Sequence, residues 1–290
     1  MHILFVTSSD PATNPRTVKE MELALREGHR VSLVYFESNH WSADISKKIL
    51  NRLEKVECHP VELSWWPLKL KLGHIWSRIS RMSGKFLHWN KLRGRAIMQS
   101  DRSYYLHLKL RSLRDKPDMV IGHTLSAFTP AYQYAKKHSL SLGLDVEDYH
   151  PGENFPAGKI WSREYVNRMG IMDDLLPLAN YVSYASPSIR LKCLESLSNV
   201  SENKHITIEN AFWKAEFSES DGPVDGPLKL IWFSQNIGAN RGLEELSEAL
   251  NEYDSTDIQV HLIGNVYHDF FVEYLEKHLK KIEIIPPMPQ

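Results

Sequence analysis

The stretch Leu228–Leu250, LKLIWFSQNIGANRGLEELSEAL, decides the fold. LKLIWFS has the apolar run of a buried strand, NIGANRG is a glycine-bearing loop holding Arg241, and an amphipathic helix starts at Leu243. Its place in the chain matters as much as its pattern. It follows a whole α/β domain's worth of sequence and a polar, Gly- and Pro-punctuated stretch, KAEFSESDGPVDGP, at 214–227. A second strand–loop–helix unit starting so late predicts two nucleotide-fold halves facing each other, with the loop Asn236–Gly242 aimed into the cleft between them. Backbone N–H groups and the dipole at the following helix N-terminus favour an anion such as a diphosphate.

Upstream, HILFVT (2–7) reads as a strand buried on both faces. SSDPATNP is a loop. Residues 16–27 carry Val18, Met21 and Leu25 on one helical face, with Gly28 as the stop, and RVSLVYF is the next strand. The same alternation resumes with MVIG, a helix over 127–138, LSLGLDV, a helix over 162–178, YVSYA, a helix from Pro187 and HITIE. Downstream of the opening stretch it continues with a helix over 243–253, IQVHLIGN, a helix over 267–280 and IEIIP. This order predicts an α/β protein with parallel sheets covered by helices. We expect two Rossmann-like domains: residues 1–213, a linker at 214–227, and residues 228–290 as an incomplete second domain.

The bulk numbers fit a globular protein: 290 residues, 42% hydrophobic, 24% charged, net charge −1. That small net charge hides an asymmetry. Between Glu62 and Asp101 there is no acidic residue but eight lysines and arginines, and four of the eight tryptophans, Trp65, Trp66, Trp76 and Trp89, fall there. Basic side chains with indoles suit an anionic membrane surface; they also suit single-stranded nucleic acid or a helical hairpin with core tryptophans. The membrane contact, over Trp65–Gln99, is the reading preferred, and no nucleic-acid partner is expected. Two cysteines argue against a disulfide framework and for a reducing compartment. We expect no leader ahead of the first strand, and no run is long enough to span a bilayer, so the expected location is cytoplasmic, peripheral on the inner face of the membrane. Neither opening strand is followed by GxGxxG, which counts against a nicotinamide enzyme.

Candidate chemistry gathers at loops. His123 ends a strand, where open α/β sheets place ligands; alternatively it is a capping or core histidine. Asp145, Glu147, Asp148 and Glu153 crowd one loop with His150. Packed carboxylates raise one another's pKa and suit base work or hydroxyl recognition; the plainer reading is a solvated turn, and no metal is expected. Asn14 and Arg16 belong to the first loop, and a cation at a helix start opposes the dipole, which favours a function for Arg16.

Five patches, in order, resemble glycosyltransferase family 4, the large retaining group with the two-Rossmann GT-B fold. They are FVTSSDPATNPRTVKEMELALREGHRVSLVYF, PDMVIGHTLSAFTPAYQYAKKH, LDVEDYHPGE, YVSYASPSIRLKC with ITIENAFW, and SQNIGANRGLEEL. The resemblance implies transfer of a sugar from a nucleotide-diphosphate sugar to a glycan or lipid-linked acceptor in envelope polysaccharide synthesis, without a cofactor. It implies donor contacts from Asn236, Gly238, Arg241 and Gly242, an acceptor-side loop with Asn14 and Arg16, and catalytic or hydroxyl-positioning roles for His123, Asp145, Glu147 and Glu153. Two departures stand out. The family's first Gly-Arg pair is Gln235-Asn236 here, with Arg241 in place of the second basic residue. The family's Glu-x7-Glu donor pair falls beyond the sequence, which is expected to lack roughly the last 80–100 residues of a normal second domain. A catalytically incomplete binding or scaffold protein and a sugar-nucleotide epimerase are the alternatives.

Overall fold

In the computed structural model the described residues are 1–37, 42–62, 75, 79, 95–96, 99–152, 159–197, 201–212, 214, 226–239, 241–252, 257–266, 274–276 and 282–286. Most of the expected linker, Trp65, Trp66, Trp76 and Trp89 of the basic stretch, and Glu153 lie outside them, as does most of the helix expected over 267–280. The chain divides into two compact units, Met1–Phe212 and Trp213–Gln290.

The first unit runs β1 His2–Thr7, α1 Pro15–Arg26, β2 Arg30–Phe36, α2 Ser42–Arg52, β3 Val56–Val61, α3 Arg102–Ser112, β4 Met119–His123, α4 Leu125–His138, β5 Ser141–Val146, α5 Lys159–Leu175, β6 Tyr181–Tyr184, α6 Pro187–Ser196 and β7 His205–Thr207. The helix expected to reach residue 178 stops at Leu175 and continues as a 3-10 turn, Leu176–Leu178, because Pro177 has no N–H to donate. All seven strands are parallel, in the order β3-β2-β1-β4-β5-β6-β7.

Strand alternation builds two cores. On one face Leu4, Val6, Val120, Leu142, Leu144 and Val182 pack with Leu106 and Leu110 of α3, Phe128 and Ala131 of α4, and Ile171 and Leu175 of α5. On the other, Ile3, Phe5, Val31, Leu33 and Ile121 pack with Val18, Met21 and Ala24 of α1. At roughly 1.5–3 kcal/mol per fully buried aliphatic side chain, this double coverage is the main favourable contribution to the unit's stability.

The strand order reverses between β1 and β4, so the chain leaves their C-terminal ends in opposite directions and opens a crevice there. The register places Thr7, His123, Asp145 and Ser183 side by side across four strands. The preceding row is Val6, Gly122, Leu144 and Val182. One step along the sheet thus changes an apolar row into four polar side chains, each at most 1% exposed.

The second unit holds β8 Leu228–Ile237, α7 Leu243–Glu252, β9 Ile258–Val266 and β10 Ile282–Ile285. Its sheet is parallel in the order β10-β9-β8. Ile237, Leu243, Val260, Leu262 and Leu275 form its core, flanked by Trp232 and Leu246.

Candidate active site

Four buried polar groups in one row must find partners, because each unsatisfied one costs about 1–3 kcal/mol. Helix α1 supplies them. Its N-cap Asn14 accepts from Thr17 N at 3.0 Å through Oδ1 and donates through Nδ2 to Glu147 Oε1 at 2.7 Å. Arg16, two residues on, lies under the sheet edge. Its Nε donates to Asp145 Oδ2 at 2.6 Å and its Nη2 to Asp145 Oδ1 at 2.8 Å, a bidentate pair with side chains 6% and 0% exposed. Ser183 Oγ donates to Asp145 Oδ1 at 2.5 Å. The remaining guanidinium nitrogen, Nη1, donates to the carbonyl of Ile208 at 2.6 Å, just past β7. The cost of a cation at a helix start is therefore offset by the Asp145 carboxylate.

His123 is fully buried beside this pair. Its Nδ1 is 3.3 Å from both Glu147 Oε1 and Asp145 Oδ2, and its Nε2 is 3.3 Å from Glu20 Oε2. Glu20 is one helical turn beyond Arg16, so both reach the sheet from the same side of α1. Burial alone would lower the His123 pKa. The Glu20, Asp145 and Glu147 carboxylates outweigh it and hold the ring well above its ordinary value, as an imidazolium. Burial likewise favours a protonated Asp145, but His123 and Arg16 more than offset it and keep the carboxyl well below the usual carboxylate range. His123 Nε2 is buried and makes no hydrogen bond.

The residue after His123 is strained. Thr124 adopts φ 69° and ψ 146°, a conformation β-branched residues avoid. Ser8, after β1, holds it: the two hydroxyls are 2.8 Å apart and Ser8 N donates to Thr124 Oγ1 at 3.3 Å. These hydrogen bonds tie the β1 and β4 loops together at the crevice, next to the buried His123 ring.

Glu20, His123 and Asp145 offer ligand atoms within 4.8 Å of one another, a spacing that a metal ion fits. An ion there would have to compete with Arg16, from which both Asp145 oxygens accept.

The structure thus gathers Asn14, Arg16, His123, Asp145 and Glu147, and adds Glu20, Ser183 and the Ser8–Thr124 pair, which sequence reasoning missed. Glu20 had a signal in its i+4 spacing from Arg16. Ser183 had none, since its place depends on strand register.

In the second unit Asn236 belongs to β8 rather than to a loop. Pairing with β9 is interrupted after Phe233 and resumes at Asn236 opposite Asn265, a β-bulge of the kind that re-aims a strand end. Gly264 makes this possible. It sits at φ +152°, and a Cβ there would lie 2.2 Å from the Ser234 carbonyl oxygen. Gly238 is buried after the strand, and Gly242 turns the chain into α7 at φ +83°. Arg241 is exposed; its Nη1 donates to Ser234 Oγ at 3.0 Å, and its carbonyl accepts from Trp232 Nε1 at 3.3 Å. The first turn of α7 carries Glu244 and Glu245, which satisfy the helix dipole and compete with a diphosphate for it.

No protein-family model and no curated protein matches the chain. Solved structures do. HepE from Anabaena, crystallised with UDP and glucose, superposes with a TM-score of 0.62 at 11% identity, covering 99% of this chain and 70% of that one. The lipopolysaccharide outer core galactosyltransferase WaaB gives 0.56 at 13% identity, covering 99% and 68%. A Listeria monocytogenes protein assigned as a UDP-N-acetylglucosamine 2-epimerase gives 0.53 at 12% identity, covering 99% and 69%. These likenesses establish the fold as GT-B.

Proposed function

We propose that this chain is a retaining glycosyltransferase that moves a sugar from a nucleotide-diphosphate sugar to a polysaccharide or lipid-linked acceptor in envelope glycan synthesis. The observation that carries this reading is the buried polar row Thr7–His123–Asp145–Ser183 at the switch point of the first sheet, in a chain with the GT-B fold. HepE, of the same fold, was crystallised with UDP and glucose, and WaaB is a galactosyltransferase.

In this reading the first unit holds the acceptor. His123 and Glu147 position the hydroxyl that attacks the anomeric carbon. Asp145, with both oxygens engaged, holds Arg16 and His123 in place rather than acting as a free base. Arg241 and the N–H groups around Gly238 and Gly242 stabilise the departing diphosphate, where preorganised donors contribute most because charge develops there. Transfer needs no resident metal, and the basic, tryptophan-bearing stretch Trp65–Gln99 brings the enzyme to the cytoplasmic membrane face.

The test is direct. The full chain is incubated with UDP- and GDP-sugars, with and without a membrane-lipid extract, and nucleotide release is followed. Release that needs the extract and disappears in Arg241→Ala supports transfer. The epimerase reading, favoured by the Listeria likeness, predicts interconversion of UDP-N-acetylhexosamines without any acceptor, visible by NMR. Nucleotide binding with neither activity defines a scaffold protein.

A further inference from the structure

We propose that the cavity at the N-terminal edge of the first sheet is a second ligand site, which takes a single sugar ring carrying a carboxylate or a phosphate. It lies apart from the crevice. Strand β1 is six residues long, so His2 and Thr7 at its two ends are about 16 Å apart.

The cavity encloses about 370 Å³ between strands β1–β3 and the C-terminal end of α3. That is the small end of the roughly 300–1,000 Å³ range of small-molecule sites, and it suits a monosaccharide rather than a nucleotide sugar. Its floor interrupts an apolar face. Farther along, Val6, Val120 and Leu144 continue this face as core. At this edge β1, β2 and β3 line the cavity with His2, Ser32, Glu57 and His59 instead. These four form a chain: His2 Nε2 is 2.7 Å from Ser32 Oγ, Ser32 Oγ donates to Glu57 Oε2 at 3.4 Å, and His59 Nε2 is 3.3 Å from Glu57 Oε1. The rim is fixed as well. Arg30 donates to both Glu57 and Asp115, and Tyr134 Oη donates to the Asp115 carbonyl at 3.4 Å. A site held in place before binding loses less entropy when it is filled.

The wall from α3 and the turn after it contributes Lys109 and Arg114. Neither side chain makes a hydrogen bond or ion pair with another described residue. The two carboxylates lining the cavity, Glu57 and Asp115, are both engaged by Arg30. Counting Arg30, Glu57 and every charged side chain of residues 109–118, five cations stand against three carboxylates. An anionic group therefore finds its partners in Lys109 and Arg114, where charge-assisted hydrogen bonds are the strong ones. The floor asks for something else. Burial lowers the pKa of both imidazoles and keeps them neutral at pH 7, so each ring meets a hydroxyl as donor or acceptor. A sugar ring with one charged substituent satisfies both walls; a bare anion leaves the floor unmatched, and a neutral sugar leaves the cations unmatched.

The experiment uses the full chain and saturation-transfer NMR with glucuronate, glucose 6-phosphate and methyl glucoside as probes, and inorganic phosphate and UDP as competitors. At least one of the two charged sugars should bind, and which one tells carboxylate from phosphate. Methyl glucoside should bind about tenfold more weakly, and Lys109→Gln or Arg114→Gln should weaken the charged sugar by about tenfold, a ratio within reach of one charge-assisted hydrogen bond. Arg111→Gln, outside the lining, should leave binding unchanged, as should saturating UDP and an equimolar amount of inorganic phosphate. Arg114 is exposed, so its variant decides alone where Lys109→Gln folds poorly. The proposal is overturned if neither charged sugar binds, if methyl glucoside binds equally well, or if Arg111→Gln costs as much as Arg114→Gln. Displacement by inorganic phosphate would overturn it by showing a mere anion-attracting surface, and displacement by UDP by placing the sugar in the nucleotide's site.

Discussion

Two arginines, one at each end of the same sheet, hold carboxylates in opposite ways. At the C-terminal edge Arg16 meets Asp145 with side chains 6% and 0% exposed. At the N-terminal edge Arg30 reaches Glu57 and Asp115, each at 2.7 Å, with all three side chains at least 40% exposed. The distances are nearly equal, yet water surrounds one cluster and is excluded from the other. Screening leaves an exposed pair with little net effect. The buried pair is locked in by its geometry: neither partner can be removed without stranding the other's charge in the interior. The contrast teaches that at this sheet edge charge is a commitment of the fold, and that such a commitment points to a task beyond stability.

The largest effect should come from breaking the buried pair on one side. Arg16→Ala or Asp145→Ala should cost about 3–5 kcal/mol, read as a fall in the denaturation midpoint. Arg16→Lys should recover little of it, because an ammonium cannot bridge both oxygens. A loss no greater than that of a surface substitution would show that the edge is wetter than its geometry implies.

Next comes the bulge in the second unit. Gly264→Ala drives a methyl against the Ser234 carbonyl at a positive φ and should cost about 1–3 kcal/mol. Hydrogen exchange of the β8 and β9 amides should accelerate while that of β1 and β4 is unchanged. Gly242→Ala shares the positive φ, but its added Cβ meets open space. It should cost about 1–2 kcal/mol, the penalty of a left-handed L-residue alone.

The buried edge should also shape the pH response. His123 has a folded pKa above its unfolded value, near 6.5. Its stabilisation is therefore complete below about pH 6.5 and is lost as pH rises through the higher folded value. Asp145 behaves oppositely. Its folded pKa lies below the unfolded value near 3.9, so its contribution is present above about pH 4 and is lost as pH falls through the depressed value. Urea midpoints at pH 5, 7 and 9 should decline on the alkaline side in the wild type, and His123→Gln should flatten that decline. An equal alkaline decline in both proteins would mean the ring is not the titrating group.

The smallest effect belongs to the exposed cluster. Arg30→Ala should leave the thermal midpoint close to wild type, and half-molar salt should remove what difference there is. A large loss would dissolve the comparison.

The strand and helix order of the first unit was legible along the chain because burial on both faces writes continuous apolar strands, and helices facing a sheet write a 3.6-residue stripe. Asn14, His123, Asp145 and Glu147 were legible for a related reason: they sit at strand ends and loops, where α/β proteins place ligands. The boundary of β8 was not, since the bulge that carries Asn236 into the strand arises from Gly264, far along the chain.

The sequence by itself determined the α/β class and offered candidates at the strand ends, because these follow from local periodicity and turn chemistry. Only the tertiary structure decided what those candidates are to each other. Asp145 became Arg16's partner, Glu20 entered the site, Ser183 closed the row and Thr124 took up strain. All of these depend on which strands neighbour one another and in what register, and a parallel sheet sets that through contacts between residues far apart in the chain.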